Sequence, residues 1–151
     1  KDSFLNQLHI LFIKEGFKET QIQLFLKDLE KNKSNAIFID KIGDEFYKNA
    51  KFKIADILYR RAYYLEPNNL DYMLKWTKSS IYLKEFDSAQ KRINKVTSIE
   101  PDHRDLEYVI GMREYFKGNF KKAQEHIHKE LLRYPDNIEC KRFLQNQIKP
   151  K

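Results

Sequence analysis

One cysteine, four glycines and four prolines are all that the 151 residues contain of these types. A single thiol, Cys140, excludes an internal disulfide. No run of about 18 apolar residues occurs, so no segment reads as a membrane-crossing helix. Valine and threonine are scarce, while Leu, Ile, Lys, Glu, Phe and Tyr dominate, a composition that favours helix throughout. Catalytic signatures are missing too. There is no phosphate-cradling glycine loop, no Gly-x-Ser-x-Gly and no His-Glu-x-x-His. The four histidines are His9, His103, His126 and His128. The last two are two residues apart on an expected helix, so they point about 200° apart and cannot share a metal. Zinc would need several convergent ligands. Cys140 has no base beside it in sequence and reads as a packed thiol. The expectation is a non-enzyme with no metal and no cofactor.

What is present is charge, with a formal net of +7. It is spread thinly. Residues 1–35, 36–69, 70–103 and 104–137 each carry one more Lys or Arg than Asp or Glu, and only 138–151 is lopsided, four against one. A phosphate-binding surface needs clustered cations that displace counterions. The only candidate is the tail, with Lys141, Arg142, Lys149 and Lys151.

The organising feature is a period. Pro67, Pro101 and Pro135 are spaced by 34 residues, and so are Phe52, Phe86 and Phe120, and Ala55, Ala89 and Ala123. A fixed period of this length means stacked supersecondary units. Each unit reads as two helices. In 36–69, Ala36, Ile39, Ile42, Gly43 and Phe46 make one face. After a break at 49–51, Phe52, Ala55, Tyr59, Ala62 and Leu65 make another. Proline then stops the second helix. Asn69, Asp102 or His103, and Asn137 stand where the next helix would need an N-cap. The alanines, with Gly43 and Gly111, are expected where the helices approach closely. Each Phe at the head of a second helix is expected to plug the interhelix turn. Phe46, Phe52, Tyr59, Phe86 and Phe120 are therefore expected in the core rather than as base-stacking platforms.

These residues resemble the tetratricopeptide repeat family. Residues 36–69 match its pattern with Ile39, Ile42, Gly43, Phe46, Phe52, Ala55, Tyr59, Ala62 and Pro67. Residues 70–103 match with Met73, Trp76, Phe86, Ala89, Ile93, Val96 and Pro101, with Thr77 in place of glycine. Residues 104–137 match with Ile110, Gly111, Phe120, Ala123, Ile127 and Pro135, while Glu107 and Glu130 depart from it. The resemblance implies an all-α, right-handed solenoid of antiparallel helix pairs forming one domain. Residues 1–35 read as a degenerate repeat or cap, 138–148 as a closing helix over the last repeat, and Lys149 to Lys151 as a frayed tail.

The resemblance also implies a concave groove for a peptide or helix of a partner protein, lined by the first helix of each repeat. Carried over by position, its lining is Ile37, Asp40, Asp44, Tyr47 and Lys48; then Asp71, Leu74, Lys75, Lys78, Ile81 and Tyr82; then Asp105, Tyr108, Met112, Tyr115 and Phe116. The family's clamp for acidic chaperone tails uses cations where this chain has Asp40 and Asp105, and an asparagine where it has Asp44. An acidic tail would be repelled. A mixed-charge peptide with apolar anchors fits instead, and alanine at Tyr82, Tyr108 and Met112 is expected to abolish its capture.

Two other readings stand beside the scaffold: a secretion-type chaperone for an apolar segment, and a nucleic-acid-binding repeat using the positive charge. Nucleic acid is the weaker of these because the cations do not cluster. The Lys-, Asn- and Ile-rich composition is that of AT-rich bacteria, which points to assembly of an envelope or flagellar complex, in cytoplasm or periplasm. The start at Lys1, without methionine, is expected of an excised piece.

Overall fold

The computed structural model describes residues 3–148. Among them there is no strand. Nine α-helices follow one another: α1 (Ser3–Lys14), α2 (Glu19–Lys31), α3 (Ala36–Lys48), α4 (Phe52–Leu65), α5 (Leu70–Tyr82), α6 (Phe86–Ile99), α7 (Leu106–Phe116), α8 (Phe120–Arg133) and α9 (Ile138–Phe143). The closing helix at 138–148 is thus not one α-helix. It loosens into a π-helical turn at Leu144–Ile148. Lys149 and Lys151 lie outside the described residues.

The period of 34 is carried by the turns. A residue with left-handed backbone stands at Gly16, Ala50, Lys84 and Gly118, with φ of 86°, 59°, 63° and 91°. In each case the next residue's N–H bonds back to a carbonyl five positions earlier: Phe17 to Phe12 at 3.0 Å, Lys51 to Phe46 at 2.9 Å, Glu85 to Ser80 at 2.9 Å and Asn119 to Glu114 at 2.8 Å. This is the Schellman ending of a helix, which satisfies its orphan carbonyls. The turn at Gly16 is therefore built like the three clear repeats. Phe17 holds the place that Lys51 holds in the next turn, one residue before Phe52, which accounts for the 35-residue step between the two rings.

Starts are capped by asparagine at the same period. The Asn35, Asn69 and Asn137 side chains accept the N–H of Phe38, Tyr72 and Cys140 at 3.1, 3.1 and 3.2 Å. The fourth start differs from expectation. Neither Asp102 nor His103 caps α7, which begins only at Leu106 after Asp105 at φ 77°. Its cap comes from α8. Buried Glu130 accepts the N–H of Asp105 at 3.0 Å and that of Tyr108 at 3.4 Å. Asn137 donates to Glu130 at 2.9 Å and to Asp105 at 2.8 Å. Glu107 pairs with His126 at 2.6 Å. The two acids that break the repeat pattern thus hold α7 to α8.

By their contacts the helices fall into two compact units that divide between Ser79 and Ser80, inside α5. In the first, α1 lies against α2 and α4, and α3 against α4. Ala55 is fully buried. A methyl group on Gly43 would come within 2.7 Å of the Tyr59 ring. In the second, α7 lies on α8, and Arg92 of α6 donates to Ser80 at 2.5 Å. Ala89 and Ala123 are fully buried. A methyl on Gly111 would stand 2.9 Å from Ile127 and 3.1 Å from the carbonyl oxygen of Ala123. The small residues are where helices touch, as the sequence implies. The plug position is less uniform. Phe52 and Phe86 are half-buried, but Phe120 is 58% exposed and is not a core residue. Position in the period places the ring at the turn; it does not supply chain to cover it.

Candidate functional site

In the first unit, α3 presents Ile37, Asp40 and Asp44 along one stripe, at helical steps of three and four. Ile37 is 60% exposed. Lys75 reaches from α5 and sets its ammonium 3.0 Å from both oxygens of Asp40 and 3.1 Å from Oδ2 of Asp44. The Tyr59 hydroxyl, from α4, donates to Asp44 at 2.7 Å. One cation thus serves two carboxylates, and the titration behaviour follows. Burial pushes the Asp40 carboxyl above its ordinary range, because its half-share of Lys75 does not offset the lost hydration. Burial pulls the Lys75 ammonium down, but hydrogen bonds and charge from Asp40 and Asp44 outweigh it, and the net shift is upward. The phenol of Tyr72 is pushed up by burial and then by Asp40, Glu66 and Asp71, marking the same negative field. Tyr47 is half-buried, with its ring 5.4 Å from Phe52, and Asp71 is exposed.

The second unit carries an aromatic cluster. Tyr82 lies 5.1 Å from Phe116. Tyr115 lies 5.2 Å from Phe116, 5.3 Å from Phe120 and 5.4 Å from Phe143. Tyr82, Tyr115 and Phe116 are all half-buried.

Five residues that the groove reading faces toward a guest are buried instead: Leu74, Lys78, Ile81, Tyr108 and Met112. The cause is visible for Tyr108. Its ring meets Phe143 at 5.7 Å and its hydroxyl donates to Glu139 at 3.2 Å, so the closing helix covers it. Burial, then the charge of Glu139, pushes its phenol well above the ordinary range. Asp105 is held by Asn137. Alanine at Tyr108 or Met112 would open a cavity and report on folding, not on capture. Ile37, Asp40, Asp44, Tyr47, Asp71, Lys75, Tyr82 and Tyr115 keep some exposure.

A feature outside that reading lies between α1 and α2. An open cleft of about 460 Å³ is lined by Leu5, His9, Leu24, Lys27, Glu30 and neighbours. Leu24 is 69% exposed. Its signal in the sequence is an apolar residue two positions past Ile22, off the stripe that Ile22 and Leu29 bury. No group of His, Cys, Asp and Glu suited to a metal ion occurs among the described residues. No helix among them is long and apolar enough to cross a membrane.

No protein-family model matches the sequence, and no curated protein matches it. The fold is similar to that of a solved chain described as "MamA RS-1 ArsTM double mutant", with a TM-score of 0.58 and 15% identity, over 95% of this chain and 82% of that one.

Proposed function

We propose that this chain is a non-catalytic protein-interaction scaffold that holds a peptide or helix of a partner on the first helices of its pairs. The observation that carries the reading is Ile37. It shares a helix face with Asp40 and Asp44, the packing of its own pair does not use it, and it stands 60% exposed beside charged groups. An exposed apolar side chain rimmed by polar ones is the usual build of a contact surface. The tetratricopeptide-like period and the shared fold support the same reading. In the first unit the surface is Ile37, Asp40, Asp44, Tyr47, Asp71 and Lys75. In the second it is Tyr82 and Tyr115. Leu74, Lys78, Asp105, Tyr108 and Met112 act from beneath as its support.

A photo-crosslinking side chain placed at position 37, 82 or 115 tests this, with position 132 on α8 as control, since Leu132 is also exposed. Adducts are expected at the first three positions and not at the control. Ile37→Asp should lower capture about tenfold, the loss of one well-packed apolar contact, with the melting temperature unchanged. Equal adduct yields at 37 and 132 would exclude the surface.

A further inference from the structure

The turn between α7 and α8 differs from its counterparts in what it shows to solvent. From Lys117 to Lys122 the chain reads KGNFKK, and all six residues are exposed. None of the three lysine side chains forms an ion pair or hydrogen bond among the described residues. At the α3–α4 turn, by contrast, Lys48 pairs with Glu45 and Lys51 with Glu15. At the α5–α6 turn, Glu85 and Asp87 flank Phe86. Phe120 is 58% exposed, and its ring rests 5.3 Å from Tyr115, which is itself backed by Phe143. The ring is supported from behind and bare in front. The nearest acids along the chain are Glu114, which accepts from Asn119 at 3.1 Å, and Glu125.

We propose that this turn docks on an anionic lipid bilayer surface, with Phe120 at headgroup depth and Lys117, Lys121 and Lys122 among the phosphates. The shape selects the occupant. A peptide or a nucleic-acid strand takes a concave track with contacts along its length. A single ring at the tip of a helix–helix turn suits a flat, yielding boundary that offers it apolar surroundings while leaving cations in the headgroup layer. Each lysine near such a surface strengthens binding about fivefold at low ionic strength. Three lysines and one ring give reversible attachment, not an anchor.

Sedimentation of the full chain with vesicles tests this, using phosphatidylcholine alone and phosphatidylcholine mixed with phosphatidylglycerol. Binding is expected only with phosphatidylglycerol, weakened by salt. K121E/K122E should lose it more than tenfold, and F120S several-fold. F120W should shift its emission to the blue on adding the anionic vesicles, beyond the change of the native Trp76. All these positions are exposed, so unchanged melting temperatures are expected; should the charge reversal perturb folding, K121Q/K122Q takes its place. Absence of sedimentation with anionic vesicles overturns the proposal. So does binding that ignores these substitutions. A thymidine oligonucleotide that binds through the same lysines while vesicles do not would assign the turn to nucleic acid and equally overturn it.

Discussion

The Glu130 carboxylate, near the end of α8, accepts the backbone N–H of Asp105 at 3.0 Å and so caps a helix that begins some two dozen residues earlier in the chain. A local Asx or Ser cap would satisfy that amide with a neighbour in sequence. Here the cap is tertiary, and α7 cannot begin well unless α8 is already in place.

Replacing Glu130 should therefore act on the second unit as a whole. Glu130→Ala leaves the Asp105 and Tyr108 amides without this acceptor and takes from the Asn137 side chain one of its two. A loss of about 2–4 kcal/mol is expected in urea denaturation, with Glu130→Gln less damaging because it keeps an acceptor. Equal effects would mean that one remaining acceptor is not enough and that both carboxylate oxygens are required.

Two glycines should fail for two different reasons. At Gly118 an added methyl meets nothing within 4 Å, so Gly118→Ala isolates the left-handed backbone, about 1–2 kcal/mol. At Gly111 the backbone is helical and the cost is steric, about 1–3 kcal/mol. Ile127→Val should relieve part of the Gly111→Ala defect and none of the Gly118→Ala defect, because the Ala123 carbonyl remains at 3.1 Å from the new methyl. Conversely, Lys84→Gly removes a side chain from a φ of 63° and should stabilise by about 0.5–1 kcal/mol.

Two carboxylates should pull the pH dependence of stability in opposite directions. Glu107 is held below the usual carboxylate range, chiefly by the hydrogen bond from His126. The folded protein binds its proton less tightly than the unfolded chain does. Its contribution is full above the ordinary glutamate range and is lost as pH falls through the lowered folded value. Asp40 is held above the range, chiefly by burial, so it opposes folding increasingly as pH rises through the ordinary value to the raised one. Stability measured against pH from acid to neutral should therefore flatten on its rising side in Glu107→Gln, and should rise more steeply in Asp40→Asn.

Lys75→Met would strand Asp40 and Asp44 without their shared cation. A loss of about 1–3 kcal/mol is expected, and Asp40→Asn in the same chain should recover most of it, since the cost lies in the unpaired buried charge. Melting curves of the two single variants and the double variant would show the coupling. Additive losses would mean that the ammonium and the carboxylate act separately.

The helix pairs were legible because their causes repeat. The phenylalanine, alanine and proline registers mark where a second helix begins, touches and stops, and the observed breaks fall there, at 49–51 for instance. The left-handed turn residue was hidden in two turns of four, because Ala50 and Lys84 are ordinary helix formers and only the surrounding hydrogen bonds force their backbone. The cap of α7 was invisible for a different reason: nothing local to 102–105 announces a carboxylate from position 130. The expected open face was legible on α3, where Ile37 and Asp44 keep some exposure. It failed on α7, because a pattern taken from repeats inside an array assigns an open face to helices that here lie under the closing segment, as Tyr108 does under Phe143.

Cys140 is the one thiol in the chain, and its residue is fully covered. A sulfhydryl reagent added to the native protein can then reach it only when α9 lifts away from α8. The speed of that colour reaction is a clock for the breathing of the C-terminal end, readable without any label being introduced.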